Sequence, residues 1–341
     1  MNDRNEIRLA LPSKGRLENP ALEFLQACGL RVEKPNPRQF HANIPALTAL
    51  TVLFQRVGDI VAGVRQGSLD FGIAGLDSIE EKRGDDGDVI LLHDALGFGH
   101  CALTLAVPES WSDVQSLNDL RERTHALARS DRTLRVATKY PVLTEKFLTR
   151  HNIQPVTLIA AEGTLEVAPA VGYADVIADL VSSGTTLRDN RLRALADGII
   201  LKSQACLIAN RRALESRRAT LALARELLEF FEAHLRAQAN CLVFANMRGA
   251  SPQAIAQKMF THTSLGGLQG PTISQVIARE NAAQGWYAVN IVIPKDRVMQ
   301  AVQELRSIGG SGVVVTPLTY IFEEEPARYR ALLDELKREA Q

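Results

Sequence analysis

At 341 residues the chain exceeds one ordinary core, and a typical domain of about 100–200 residues predicts two or three units. With 46% hydrophobic and 23% charged residues it is neither disordered nor fibrous, and 39 basic against 39 acidic side chains leave no overall field to draw nucleic acid or an anionic membrane. A small ligand is expected, and a polyanionic one must meet local charge such as Lys14, Arg16, Arg38 and Arg56.

Short apolar runs alternate with amphipathic segments from residue 7 to about 210, the pattern of an α/β fold with largely parallel strands. IRLALP, LTVLF, LDFGIAG and VILLHDA read as strands, with ENPALEFLQACGL and GDIVAGVRQG as helices between them. A second series follows in ALTLAVP, LRVATKY, PVTLIAA and ADVIADL, with helices near 114–121, 141–151 and 166–172. Two lobes result, with a ligand cleft between them. The chain is expected to cross at Gly97-Phe98-Gly99 and to return after residue 187, where GIILKSQACLIAN reads as a strand and ESRRATLALARELLEFFEAHLRAQA as a long helix. The expected boundaries are 1–98 for the first lobe, completed by 188–239, and 99–187 for the second. Beyond Ala239, CLVFANM, SPQAIAQKM, PTISQVIA, WYAVNIVIP, DRVMQAVQELRSIG and GVVVTPL spell βαββαβ, the ferredoxin-like order, so 240–341 reads as a small regulatory or assembly domain.

Cys28, Cys101, Cys206 and Cys241 stand far apart with no C-x-x-C pair, which argues against zinc ribbons, redox dithiols and disulfides and predicts a cytoplasmic setting. The start, MNDRNEIRLALPSKGRL, mixes acids and bases before a short apolar run, so neither a signal nor a transit peptide is expected. No stretch approaches the roughly 18 apolar residues of a membrane span.

The chemistry concentrates between Glu162 and Leu187, EGTLEVAPAVGYADVIADLVSSGTTL. An apolar strand tipped by Asp179 leads through Ser182, Ser183, Gly184, Thr185 and Thr186 into a helix start. Backbone N–H groups in such a turn point at an anion, glycine permits close approach and the hydroxyls add donors, so the loop suits a phosphate. A plain capped helix, with Ser183 or Thr185 as N-cap, is the alternative. Glu162, Glu166, Asp175 and Asp179 can receive ribose hydroxyls or position Mg²⁺, which is usually held by few carboxylates plus substrate phosphate. The seven histidines lack H-E-x-x-H spacing, and SKGR is not a Walker loop.

From Glu166 to Leu187, the placing of Gly172, Ala174, Ile177, Asp179-Leu180 and Ser183-Gly184-x-Thr186-Leu187 resembles throughout the signature of the ATP phosphoribosyltransferases. RLALPSKGRL, LDFGIAGLDSIEE, LGFGHCALTLAVP, RVATKYP and KSQACLIAN extend the resemblance, and GGLQGPTIS is similar to the effector segment of the family's long form. Val61 and Gly266 depart from prolines usual in the pattern, and Ala74 from a common threonine.

The resemblance implies a two-lobed catalytic unit like a periplasmic binding protein, a ferredoxin-like regulatory domain, a Mg²⁺ requirement and hexamers, with dimers also formed. It implies attack of N1 of ATP on C1′ of phosphoribosyl pyrophosphate (PRPP), at the head of histidine biosynthesis. Ser182, Ser183, Gly184, Thr185 and Thr186 are then assigned to the 5′-phosphate, and Glu162, Asp175 and Asp179 to the ribose, the last two also to Mg²⁺. Lys14, Arg16 and Arg56 are assigned to the pyrophosphate and triphosphate, and Asp70, Gly75 and Asp77 to the border of the nucleotide. Leu268 and Thr272 are assigned to L-histidine as feedback inhibitor. A solute-binding protein shares the two-lobed cleft but has no need of an acid-tipped strand leading into SSGTT. A salvage phosphoribosyltransferase shares that strand but not the lobes or the extra domain.

Overall fold

The computed structural model describes residues 6–34, 36, 39–161, 163–277 and 285–338. The chain opens with β1 (Ile7–Pro12), α1 (Glu18–Ala27), β2 (His41–Asn43), β3 (Leu50–Gln55), α2 (Val57–Arg65), β4 (Phe71–Gly75), α3 (Leu76–Lys82) and β5 (Val89–His93). β1 pairs in parallel with β3 and β4, which requires long returns between them, and α2 supplies one. α2 buries Ile60, Val61 and Val64, and it lies so close to β4 that a Cβ at Gly72 would stand 2.4 Å from Ile60 Cγ2.

Gly97 and Gly99, at φ 79° and 66°, carry the chain into the second sheet through a backbone region that favours glycine. There follow β6 (Cys101–Pro108), α4 (Leu117–Ala128), β7 (Leu134–Thr138), α5 (Pro141–Arg150), β8 (Val156–Ala160), α6 (Ala168–Val171), β9 (Val176–Val181), α7 (Thr185–Asp189) and β10 (Leu192–Ser203). β11 (Ala205–Asn210), buried throughout, returns to the first sheet between β4 and β5. The sheet orders are β2-β3-β1-β4-β11-β5 and β10-β6-β9-β7-β8, and both sheets mix parallel and antiparallel pairs.

Next come α8 (Arg211–Ser216), α9 (Arg218–Ala239), β12 (Asn240–Gly249), α10 (Pro252–His262), β13 (Thr272–Val276), β14 (Gly285–Pro294), α11 (Val298–Ser307), β15 (Ser311–Pro317) and α12 (Ala327–Arg338). The antiparallel order β13-β14-β12-β15 is that of a ferredoxin-like βαββαβ unit. Alternation along β12 and β14 puts Val243, Ala245, Met247, Val289 and Ile291 into one core with Ile255 and Met259 of α10 and Ala301 and Leu305 of α11. The expected fold class, a two-lobed α/β part followed by a ferredoxin-like part, is the one found.

Three boundaries differ from the expectation. The second lobe does not end at 187, because β10 pairs with β6 from Leu192↔Pro108 to Ser203↔Cys101. GIILKSQACLIAN is thus two strands in two sheets, and the return falls at Gln204; continuous apolar patterning does not reveal that a strand changes partner. The compact units divide inside α9, with Leu227–Pro326 as the second unit, so the first lobe's completing segment does not run whole to 239. Finally α12 belongs to the first unit rather than to the C-terminal domain. It buries Leu332 and is held by ion pairs Arg328–Asp94 and Arg211–Glu335, both 2.6 Å, beside the edge strand β5.

His93 ends β5 only 2% exposed, its Nδ1 accepting a 3.2 Å hydrogen bond from the Ala95 N–H. Burial, helped by the charge of Arg328, pulls the imidazole down to about 4 from an ordinary value near 6.5. The folded state therefore disfavours the added proton, so this contribution to stability is complete above pH 6.5 and is lost as pH falls toward 4. The loss amounts to about 3 kcal/mol. Urea unfolding between pH 7 and 4 should show it, and His93→Gln should lose that part of the slope; an unchanged slope in the variant would contradict the assignment.

Candidate active site

In α/β sheets, ligands settle outside the carboxyl ends of the strands, where loops and helix starts gather. On the first sheet those ends carry Lys14 and Arg16 after β1, Arg56 after β3, and Gly75 and Asp77 after β4. On the second they carry Lys139 and Tyr140 after β7, and Asp179 with residues 182–186 at the end of β9. The two sets meet at Asp77.

Asp77 is 2% exposed and its carboxylate accepts from four groups, three of them from distant parts of the chain. Arg16 Nη2 donates to Oδ1 at 2.7 Å, with Ser203 Oγ on the same oxygen, while the Tyr140 phenol donates to Oδ2 at 2.9 Å and Ser78 Oγ at 3.0 Å. Ser203 Oγ in turn accepts from the Asp77 N–H at 3.1 Å, and Arg16 Nη1 donates to the Gly99 carbonyl on the crossing segment. Burial, then the Asp77 charge, raises the Tyr140 phenol well above its ordinary range, so it stays a donor. Gly75 is glycine for the same network: a Cβ there would lie 2.4 Å from Asp77 Oδ1 and 3.0 Å from Arg16 Nη2.

The hydroxyl loop follows β9 of the second sheet. Gly184 adopts φ 73°, the left-handed turn that leads into α7. Ser183 and Thr185 hydroxyls lie 3.1 Å apart, and Arg188 Nη2 donates to Thr185 Oγ1 at 3.2 Å, which places a guanidinium over the loop. Asp179, on the last turns of β9, accepts from the Leu180 N–H at 2.8 Å. Burial raises its carboxyl above the ordinary range, and the charge of Glu166 adds to the rise against weaker opposition from the Leu180 N–H and Lys139. Lys14 and Arg56 are exposed and make no ion pair among the described residues.

Two expected members are elsewhere. Asp175 precedes β9, four residues or about 13 Å of strand from Asp179. It is gripped by Arg135, Nη2 to Oδ1 at 2.8 Å and Nε to Oδ2 at 3.2 Å. Burial raises its carboxyl, the Arg135 hydrogen bonds more than offset this, and the net shift is downward. Asp70 likewise precedes β4, at the end opposite Gly75; it is fully buried, accepts from the Arg8 N–H at 2.8 Å and pairs with Arg217. Both are structural ion pairs at the feet of their strands, not parts of the strand-end cluster. Glu162 and Arg38 lie outside the described residues. Leu268, 54% exposed, and Thr272, opposite Asn290 on β13, belong to the other unit.

Tyr140, Ser203, Lys139 and Arg188 are the members sequence reasoning missed. Arg188 carried a signal, lying one helical turn beyond Gly184; Tyr140 and Ser203, brought to Asp77 over 63 and 126 residues, carried none. Asp70→Asn should cost about 3 kcal/mol of unfolding free energy, as breaking a buried pair does, while ligand affinity at the strand ends stays within about twofold. Denaturant unfolding with titration calorimetry checks both halves, and a binding defect in a stable variant would return Asp70 to the site.

A family model described as HisG: ATP phosphoribosyltransferase matches residues 56–232, and one described as HisG, C-terminal domain matches residues 237–320. ATP phosphoribosyltransferase 1, chloroplastic, of Arabidopsis thaliana is 45% identical over 337 residues, 98% of this chain and 82% of the relative. ATP phosphoribosyltransferase of Brucella anthropi is 42% identical over 217 residues, 63% of this chain and 94% of the relative. Among solved structures, the ATP phosphoribosyl transferase (HisG:HisZ) complex from Thermotoga maritima aligns with a TM-score of 0.51 at 22% identity, covering 66% of this chain and 98% of that one, a likeness of fold. With both models matched and nearly the whole length shared with the Arabidopsis enzyme, the chain belongs to the ATP phosphoribosyltransferase family, in the long form that carries the C-terminal domain.

Proposed function

We propose that the facing strand ends transfer the phosphoribosyl group of PRPP to N1 of ATP, releasing pyrophosphate and forming 1-(5-phosphoribosyl)-ATP, the first step of histidine biosynthesis. The observation that carries the assignment of sites is the loop 182–186, with left-handed Gly184 and Arg188 over its hydroxyls, at the same strand end as Asp179. A 5′-phosphate on this loop receives the hydroxyls of Ser182, Ser183, Thr185 and Thr186, and hydrogen bonds to a charged group contribute about 1.5–3 kcal/mol each. The ribose then falls toward Asp179, with Glu166 near enough to act on its charge.

The N1 lone pair attacks C1′ as the bond from C1′ to the pyrophosphate oxygen breaks; positive charge grows on the ribose and negative charge on the leaving group. No covalent nucleophile is needed, and the side chains contribute through position and charge. Lys14 and Arg56, which make no ion pair among the described residues, serve the departing pyrophosphate and the triphosphate, whereas Arg16 is already held by Asp77 and Gly99 and acts from a fixed place. Gly75 and Asp77 border the nucleotide. Mg²⁺ fits Asp179 rather than Asp175, whose oxygens are taken by Arg135. No cluster of three or more His, Cys, Asp or Glu suited to a metal occurs among the described residues, which suits an ion held chiefly by substrate phosphate. With Asp179 holding it, such an ion would supply positive charge to the leaving pyrophosphate.

The C-terminal domain binds L-histidine, with Leu268 and Thr272 among its contacts, and inhibits by preferring one of two global states. The protein assembles as hexamers, with dimers as a second form. The Arabidopsis relatives are named chloroplastic; for this chain the cytoplasmic expectation stands on its unpaired cysteines, and no helix among the described residues is long and apolar enough to cross a membrane.

Pyrophosphate release from PRPP and ATP with Mg²⁺ tests the reaction, and Gly184→Ala tests the site. The methyl group is forced on a residue at φ 73° and stands 3.4 Å from Arg188 Nη1. PRPP affinity should fall by at least about tenfold with the fold retained. Unchanged affinity in a folded variant would remove the loop from the phosphate site.

A further inference from the structure

The helix α5 begins without a cap of its own. Its N-cap position is Tyr140, whose side chain makes no bond to the helix because the phenol is committed to Asp77. Pro141, the first helical residue, has no N–H, so the first donors in need of a partner are those of Val142 and Leu143. Both are met from the other lobe: Glu81 of α3 accepts from Val142 N–H on Oε1 at 2.9 Å and from Leu143 N–H on Oε2 at 3.0 Å. Asp77 and Glu81 stand four residues apart, hence on one face of α3, and both are spent on the start of α5.

That start is tied to the phosphate side. Thr138, the last residue of β7, accepts from the Tyr140 N–H at 3.0 Å and donates to the Ala178 carbonyl at 2.8 Å, one residue before Asp179. Hydrogen bonds thus run from Glu81 and Asp77 through the head of α5 to the strand that carries Asp179 and the loop. The first-lobe end of the same path holds Arg16 and Gly75. A local Ser, Thr or Asp at position 140 would stabilise the helix equally well. Drawing the cap from α3 adds something such a cap cannot, a defined spacing between lobes.

We propose that Glu81 is a positioning residue for the transfer reaction: with Asp77 it forms a two-point clamp from α3 on the head of α5, which sets the distance between the nucleotide-side groups and the phosphoribosyl-side groups. The proposal rests on the function proposed above. A shift of about 1 Å in the relative placing of reactants can cost about 10²-fold in rate, so a clamp of this kind acts on turnover more than on binding to either lobe alone.

Glu81→Gln in the full chain is the test. The amide keeps one acceptor oxygen and turns an NH₂ toward the second N–H, so one of the two bonds is lost. kcat should fall by about tenfold or more, while the Kd of ribose 5-phosphate by calorimetry, a probe that carries the 5′-phosphate without the pyrophosphate, changes less than about twofold, since the loop lies wholly in the second lobe. Spin labels on exposed sites of the two lobes should show a broader distance distribution. A variant with a lowered Tm but kcat within about twofold of the parent would reduce Glu81 to an ordinary helix cap. A joint fall of kcat and ribose 5-phosphate affinity with an unchanged distance distribution would place its effect inside the second lobe, and either result overturns the clamp. Absence of pyrophosphate release by the unmodified chain would instead remove the proposed reaction, and the spin-label comparison would still decide whether Glu81 sets the lobe spacing.

Discussion

A carboxylate taken out of water is costly unless its oxygens find donors, and the site depends on how Asp77 meets that requirement. Its donors come from the β1–α1 turn, from α3 itself, from the β7–α5 turn and from the end of β10. Removing any one partner leaves a buried polar group short of a bond, at about 1–3 kcal/mol. Both segments on which the chain passes between the sheets are drawn in, one through Arg16 on the Gly99 carbonyl and one through Ser203. A single buried group therefore ties together parts of two lobes whose sheets share no strand.

The opposing side of the cleft is built differently. The hydroxyl loop is exposed and glycine-turned, with its partners close in sequence, whereas Asp179 is held where burial opposes its charge. An acid in that condition gains from a cation or from hydroxyl donors, and on the proposed reading substrate supplies them on the loop side, whereas the hub side is complete among its own residues. This division assigns rigidity to the first lobe's strand ends and recognition of the anion to the second's.

Much of this architecture was legible because it is periodic or local. The period-2 runs of β12 and β14 and the helical runs of α10 and α11 gave the βαββαβ order, and SSGTT reads as a glycine turn into a helix start, which it is. What could not be read was which end of a strand an acid occupies. Asp70 and Asp77 flank β4, while Asp175 precedes β9 and Asp179 lies within it, and only the fold shows that Asp70 and Asp175 are tied at the feet by Arg217 and Arg135. The division of GIILKSQACLIAN between two sheets and the return of α12 to β5 are decisions of tertiary pairing, made by partners far along the chain. Tyr140 and Glu81 were invisible for the same reason: a helix start capped from another lobe looks, in sequence, like a helix start with no cap.

The central claim is that Asp77 holds the first lobe's groups in place while the loop at 182–186 receives the phosphate. A crystal structure with PRPP and Mg²⁺ bound tests it most directly. The account predicts the 5′-phosphate within hydrogen-bond distance, about 3 Å, of the Ser183–Thr186 backbone and hydroxyls, with Asp77 still bonded to Arg16 and Tyr140. A phosphate seated on Lys14 and Arg56 instead, or an Asp77 released from both partners in the complex, would contradict it.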